Sequence, residues 1–252
     1  MTAPILMTDC LSKNFGAIFA VNSVSIEFSA GQVHAIIGPN GAGKTTLINL
    51  LSGDTQPTSG SIYFKGHDVT RAPVDRVSRL GVGRSYQKTN IFPRFTCEQN
   101  CWLGAQSRLP NSMRFLRPAS SYRQVRERTQ RALELCRLDH RGQAIAGTLS
   151  YGEQRQLEIG MMLATGPELL LLDEPLAGMG NEEAADVVEL LKELAKDHTL
   201  ILIEHDMDAV FAVAEAMTVM VGGEVLASGA PKDIRNNTEV QDAYLGTGED
   251  HL

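Results

Sequence analysis

The sequence predicts an α/β fold with an inserted helical subdomain. Three observations predict it. A short, mostly apolar run, Val33-His34-Ala35-Ile36-Ile37, leads at once into Gly38-Pro39-Asn40-Gly41-Ala42-Gly43-Lys44-Thr45-Thr46 and then into an apolar helical pattern. Four leucines, 169–172, end in Asp173-Glu174, as a buried parallel strand does when it carries acids to its carboxyl edge. Between them, residues 96–155 change character: Val125, Thr129, Ala132, Leu133 and Cys136 recur at helical spacing among dense arginines.

Composition sets the outer bounds. With 252 residues and a 43% hydrophobic fraction, the chain can bury one large α/β core with an inserted subdomain. The net charge of −7 argues against nucleic acid as a main partner, because phosphate backbones need a basic surface. No stretch approaches the ~20 apolar residues of a membrane span, and the N-terminus lacks a basic region followed by an apolar one. A cytosolic chain is therefore expected. Cys10, Cys97, Cys101 and Cys136 lack metal-ribbon spacing and read as buried free thiols in a reducing compartment.

In chain order, residues 5–7 predict a first strand, and residues 21–28 a half-exposed second one. Lys13-Asn14-Phe15-Gly16 reads as the loop between them. An aromatic beside a loop glycine can stack on a purine, but a buried loop anchor is the better reading of Phe15 taken alone. The glycines of 38–43 let main-chain N–H groups turn inward around a polyphosphate, and the helix N-terminus adds its dipole. Lys44 supplies a mobile positive charge for the β- and γ-phosphates, and Thr45 a hydroxyl for Mg²⁺. Residues 61–64 predict a strand turned by Gly66-His67-Asp68, residues 76–80 a short helix ended by Gly81, and residues 82–86 a strand with Gln87 at its end. Residues 106–121, with Pro110 and Pro118, read as a loop inserted into the helical subdomain. Its arginines read first as a solvated surface.

Ser150-x-x-Glu153 forms a capping box and starts a helix, with Gly152 leaving its first turn open to an anion. Taken alone, the box is a structural feature. Asp173 can hold Mg²⁺, directly or through water, while Glu174 can orient and deprotonate an attacking water. Asn181 is expected to cap a helix lined by Val187, Leu190, Leu191 and Leu194. Residues 199–203 predict another buried strand, ending at Glu204-His205. A lone histidine there reads as a loop residue, although its N–H could reach a γ-phosphate. Gly222-Gly223 predicts a hairpin, and Pro231 opens a last short helix.

As a set, these motifs resemble those of the ATP-binding cassette (ABC) ATPases over nearly the whole chain. Phe15 resembles the aromatic that stacks on adenine, and residues 38–45 the Walker A loop. Gln87 resembles the glutamine loop, Leu149-Ser150-Tyr151-Gly152-Glu153-Gln154 the family signature, 169–174 the Walker B strand with its glutamate, and His205 the switch histidine. The resemblance implies ATP and Mg²⁺ as ligands, with Thr45, Gln87 and Asp173 at the metal and Glu174, His205 and Gln87 at the chemistry. It implies nucleotide contacts from Phe15, from residues 38–46 and, across a head-to-tail pair, from Ser150, Gly152 and Glu153 of the opposite cassette. It also implies a phosphate-loop NTPase core with a mixed sheet and an antiparallel β portion, and divides the single cassette, 1–252, into that core (1–95 and 156–252) and a helical subdomain (96–155). The chain departs from the pattern at Gly180, where many cassettes place an aspartate in the loop that links the two sites.

Within the family, the insert near 104–121, Leu157-Glu158-Ile159-Gly160 and the tail Ala243-Tyr244-Leu245-Gly246 are most similar to ATPase subunits of branched-chain amino acid importers. That resemblance implies two transmembrane permease subunits and a second cassette, identical or different. A periplasmic or extracellular solute-binding protein would be an indirect partner, and the chain would sit at the cytoplasmic face of the inner or plasma membrane. Urea and short-amide importers have similar subunits, and the lipopolysaccharide-export ATPase shares a like tail. A soluble cassette of translation or DNA repair would carry paired cassettes, coiled coils or basic surfaces, which this chain does not show.

Overall fold

The computed structural model of the chain describes residues 3–86, 89–109 and 122–245. Two sheets form the frame. The antiparallel sheet holds β1 (Pro4–Phe15), β2 (Ile18–Val24), β3 (Glu27–Ser29), β5 (Ser59–Phe64) and β6 (His67–Asp68). The second sheet has the order β11-β10-β4-β9-β8-β7, built from β4 (Val33–Ile37), β7 (Val82–Arg84), β8 (Leu169–Asp173), β9 (Thr199–Ile203), β10 (Ala216–Val221) and β11 (Glu224–Gly229). Neighbours from β10 to β7 pair in parallel, and β11 closes the edge as an antiparallel hairpin strand. The expected mixed sheet and antiparallel portion are both present.

The helices are α1 (Lys44–Leu51), α2 (Val74–Leu80), α3 (Cys97–Gln106), α4 (Arg123–Leu135), α5 (Tyr151–Leu163), α6 (Asn181–Leu194), α7 (Met207–Val213), α8 (Pro231–Arg235) and α9 (Thr238–Leu245). The continuous apolar runs of β8 and β9 are explained by burial on both faces. Leu170, Leu172, Leu200 and Leu202 pack into one apolar layer with α3 to α6. Their alternates Leu169, Leu171, Ile201 and Ile203 pack on the other side with α1 and the antiparallel sheet. Among the described residues no helix is long and apolar enough to cross a membrane.

Several sequence expectations are corrected. Lys13, Asn14 and Phe15 belong to β1, because pairing with β2 continues to Phe15 opposite Ile18, so Gly16 and Ala17 alone make the turn. Residues 21–28 are two strands. Ser23 takes a left-handed φ of 50°, and β2 and β3 then pair with different lengths of β1. His67-Asp68 pairs with Phe64-Tyr63 as a strand, leaving Lys65-Gly66 as the turn. The strand expected over 82–86 stops at Arg84. Gly180 precedes α6 as its N-cap and Asn181 is the first helical residue. A further helix, α9, follows α8. Cys97, Cys101 and Cys136 are buried free thiols as expected, but Cys10 is exposed. α5 runs unbroken across residue 155. Gln87 and residues 110–121 lie outside the described residues.

Candidate functional site

The parallel sheet gathers the phosphate loop, Asp173, Glu174 and His205 along one edge. With β9 lying between β4 and β8, the carboxyl ends come in the order residues 38–45, Glu204-His205, Asp173-Glu174, then Ser85-Tyr86 beyond β7. In parallel sheets this edge is where ligands bind.

At β4, two glycines are required by the backbone. Gly38 has φ 149° and Gly43 φ 97°. A Cβ on Gly38 would lie 2.1 Å from the Met220 carbonyl oxygen, and one on Gly43 would lie 2.1 Å from that of Ala20. Gly43 is the N-cap of α1, and Lys44 begins the helix. Lys44 Nζ donates to the carbonyls of Gly38 at 2.5 Å and Pro39 at 3.0 Å, so its charge is held directly above the loop. Thr45 is exposed in the first turn and Thr46 half-buried. Within the loop Pro39 and Ala42 are buried, while Asn40 and Gly41 are exposed.

Asp173 is buried at the end of β8. Desolvation pushes its carboxyl above the usual range, while Arg84, Arg155 and Lys44 pull it back down. Its Oδ1 is buried without a hydrogen-bond partner. A buried acceptor near Lys44 with one oxygen unsatisfied fits a hard divalent cation such as Mg²⁺. Next to it, Glu174 holds a left-handed φ of 46°, which is sparsely populated for a residue with a Cβ. Its N–H donates to the Ile203 carbonyl at 2.9 Å, tying it to β9.

His205 stands beyond β9 with its side chain 69% exposed, over a fully buried Glu204. Glu204 accepts the N–H groups of Leu176 at 2.8 Å and His205 at 3.2 Å. Burial pushes its carboxyl up, partly offset by those two hydrogen bonds. It fastens the segment after Glu174 to the base of the histidine.

Phe15 is 55% exposed at the tip of the β1–β2 hairpin, with Lys13 Nζ 5.1 Å from its ring centre. The same hairpin carries Ala20 against Gly43. An exposed ring on a hairpin that packs against the phosphate loop is available for stacking, whereas a buried anchor is not what the structure contains.

The second helix end is separate. Ser150 and Glu153 form the full capping box: Glu153 N–H donates to Ser150 Oγ at 3.3 Å, and Ser150 N–H to Glu153 Oε2 at 2.9 Å. Glu153 also pairs with Arg141 at 3.3 Å, and Gly152 N–H donates to Glu183 Oε1 at 3.2 Å. Within one chain the signature residues are thus joined to α6.

Sequence reading missed Arg155, Glu158, Glu183 and a role for Glu204. Arg155 and Glu158 carried a faint signal, opposite charges three residues apart on a helix. Glu183 carried none, because it meets Gly152 only through the fold.

Residues 21–177 match the family model described as ABC transporter, and residues 224–250 that described as branched-chain amino acid ATP-binding cassette transporter. The chain is 39% identical to the high-affinity branched-chain amino acid transport ATP-binding protein BraF of Pseudomonas aeruginosa, over 98% of this chain and 99% of that one. Identity to the corresponding protein LivG of Escherichia coli is 38% over the same shares. A solved ATP-binding cassette of an ABC transporter in its ADP conformation superposes with a TM-score of 0.87 at 31% identity, covering 97% of this chain and 100% of that one.

Proposed function

We propose, for a chain that belongs to the ABC transporter ATPases, that it powers an importer of branched-chain or other hydrophobic amino acids. The observation that carries this is the near-full-length identity to BraF and LivG, whose names state that transport.

The geometry supports ATP hydrolysis by the following division of work. The amides of 38–45 wrap the phosphates, and Lys44 moves from the loop carbonyls to the β- and γ-phosphate oxygens. Thr45 and Asp173 would hold Mg²⁺, with Gln87 as a third candidate; when bound, the ion neutralises charge on the phosphates. Glu174 orients the attacking water and takes its proton, and His205 donates to the γ-phosphate. Phe15 stacks on the base. Ser150, Gly152 and Glu153 meet the γ-phosphate held by a second cassette, so two chains are needed for a complete site.

Two permease subunits are the proposed membrane partners, with a solute-binding protein acting through them and the cassette at the cytoplasmic face. An exposed apolar patch supports a docking role: Phe92 and Phe95 stack with ring centres 5.4 Å apart and are 48% and 41% exposed, beside Ile145. We assign the helical subdomain to 96–155.

Uptake of labelled leucine, urea and a short amide in cells with and without this chain tests the cargo. Loss of leucine uptake alone is expected. Loss of urea or amide uptake with leucine uptake intact would move the protein to that importer class.

A further inference from the structure

Arg155 lies two residues beyond the capping box of α5, with its side chain 2% exposed. Its guanidinium reaches four acceptors. One nitrogen donates to the Tyr86 carbonyl and to Glu158 Oε2; the other donates to the carbonyls of Asp173 at 2.8 Å and Glu174 at 3.3 Å. Glu158 completes the arrangement, because its Oε1 accepts the Tyr86 N–H at 3.1 Å. The peptide groups on either side of Tyr86 are therefore gripped by the two members of one buried ion pair. Glu158 is pushed up by burial and pulled back by Arg155.

Three of the four acceptors are main-chain carbonyls at the catalytic edge. That distribution is what a planar fork of five donors can reach and a lysine cannot. One of the three belongs to Glu174, the residue with the left-handed backbone. Such a conformation persists where its surroundings over-determine it. Here the Glu174 N–H is tied to Ile203 and its carbonyl to Arg155. Both ends of the strained residue are fixed, one from the sheet and one from the signature helix.

We propose that Arg155 and Glu158 are a positioning pair that sets the Glu174 carboxylate and the Tyr86 segment by holding their main chains, so that hydrolysis depends on where α5 sits. Neither residue touches substrate. The same helix presents Ser150 and Gly152 to the partner's nucleotide, so a shift of α5 on pairing reaches the chain's own Glu174 within a single turn. This supplies a link between the two sites that does not use Gly180. The inference rests on the reading of Glu174 as general base.

The test is steady-state ATPase kinetics with direct nucleotide binding on the full chain. Removing one member of a buried pair strands a charge, whereas replacing both with apolar side chains is often tolerated. The first variant is therefore Arg155→Met with Glu158→Leu, and the second is Arg155→Lys. Both are expected to bind a fluorescent ATP analogue within about threefold of the parent and to keep KM, while kcat falls about 10–100-fold, the scale of a small misplacement of a reacting group. Arg155→Lys is expected to lose less. A core ion pair without a positioning role would leave kcat within twofold in any variant that binds nucleotide, and that result overturns the proposal. If the double variant does not fold, Arg155→Lys decides on the same criterion. Glu174→Gln run in parallel separates the two readings. If it retains turnover, the base assignment fails. If it loses turnover while the Arg155 variants keep theirs, the positioning pair alone fails.

Discussion

The main-chain N–H of Gly152 donates to the Glu183 carboxylate at 3.2 Å, so the N-terminus of α5 already meets an anion from its own chain. Hydrogen bonds from the Ser150 hydroxyl and the Gly152 and Gly180 N–H groups hold the Glu183 carboxyl below the usual range. In the proposed shared site, a γ-phosphate held by a second cassette would need the same donors. Glu183→Gln weakens this internal anion, and in a Glu174→Gln background it is expected to lower the ATP concentration needed for pairing. Titration by light scattering checks this; an unchanged midpoint would mean that Glu183 does not compete.

Turnover is expected to separate from binding at two residues. Lys44→Ala removes the charge above the loop and should abolish measurable ATP binding. Glu174→Gln should bind ATP normally and lose about 10²–10⁴-fold in kcat, the usual cost of a missing general base. Near-parental hydrolysis by Glu174→Gln would reassign that residue.

Base recognition should be loose. Phe15 offers a ring face without directional polar groups, so GTP is expected to be accepted. Phe15→Ala should weaken binding of either nucleotide by roughly 1–3 kcal/mol, the scale of base–aromatic stacking. Equal affinity in parent and variant, measured by calorimetry, would make Phe15 a surface residue without a ligand.

Acid should destabilise the fold through His34. Burial lowers its pKa from 6.5 to about 4, with the ring bonded to Thr218 Oγ1 at 2.8 Å and edge-on to Phe28. Between those values the unfolded chain binds a proton that the folded chain refuses, so stability rises with pH from about 4 to 6.5 and is lost on acidification. The full window corresponds to about 3 kcal/mol, at 1.36 kcal/mol per pKa unit. Thermal melts of parent and His34→Gln at pH 7.5 and 5 check it. The variant should lose less on acidification, while the raised carboxyls Asp173, Glu158 and Glu204 act equally in both proteins and cancel. Identical losses would contradict the assignment.

Which parts were legible follows from the physics of each signal. The phosphate loop, the 169–172 strand and the capping box are local: glycine spacing, an unbroken apolar run and a four-residue hydrogen-bond pattern announce themselves in sequence. Phe15 was legible as an aromatic but misplaced in a loop, because the length of β1 is set by its pairing with β2 and not by its own alternation. Asn181 was read as a cap one residue late, since Gly180 there offers no side chain to signal. The left-handed Glu174, the Gly152–Glu183 contact and the reach of Arg155 to three carbonyls depend on neighbours 18 to 69 residues away and leave no local trace.

In the proposed mechanism the γ-phosphate joins two cassettes by bridging Lys44 of one chain and the Ser150 helix end of the other. ADP lacks that group, so only ATP can favour the closed pair. Converting a mostly open population into a mostly closed one takes about 5.5 kcal/mol. Several charge-assisted hydrogen bonds at ~1.5–3 kcal/mol each are sufficient. The direct measurement is size-exclusion chromatography with light scattering of Glu174→Gln, alone and mixed with its partner cassette. A dimer with ATP and a monomer with ADP is the predicted result. A dimer that forms equally with ADP, or no dimer with ATP under either condition, would contradict the shared site.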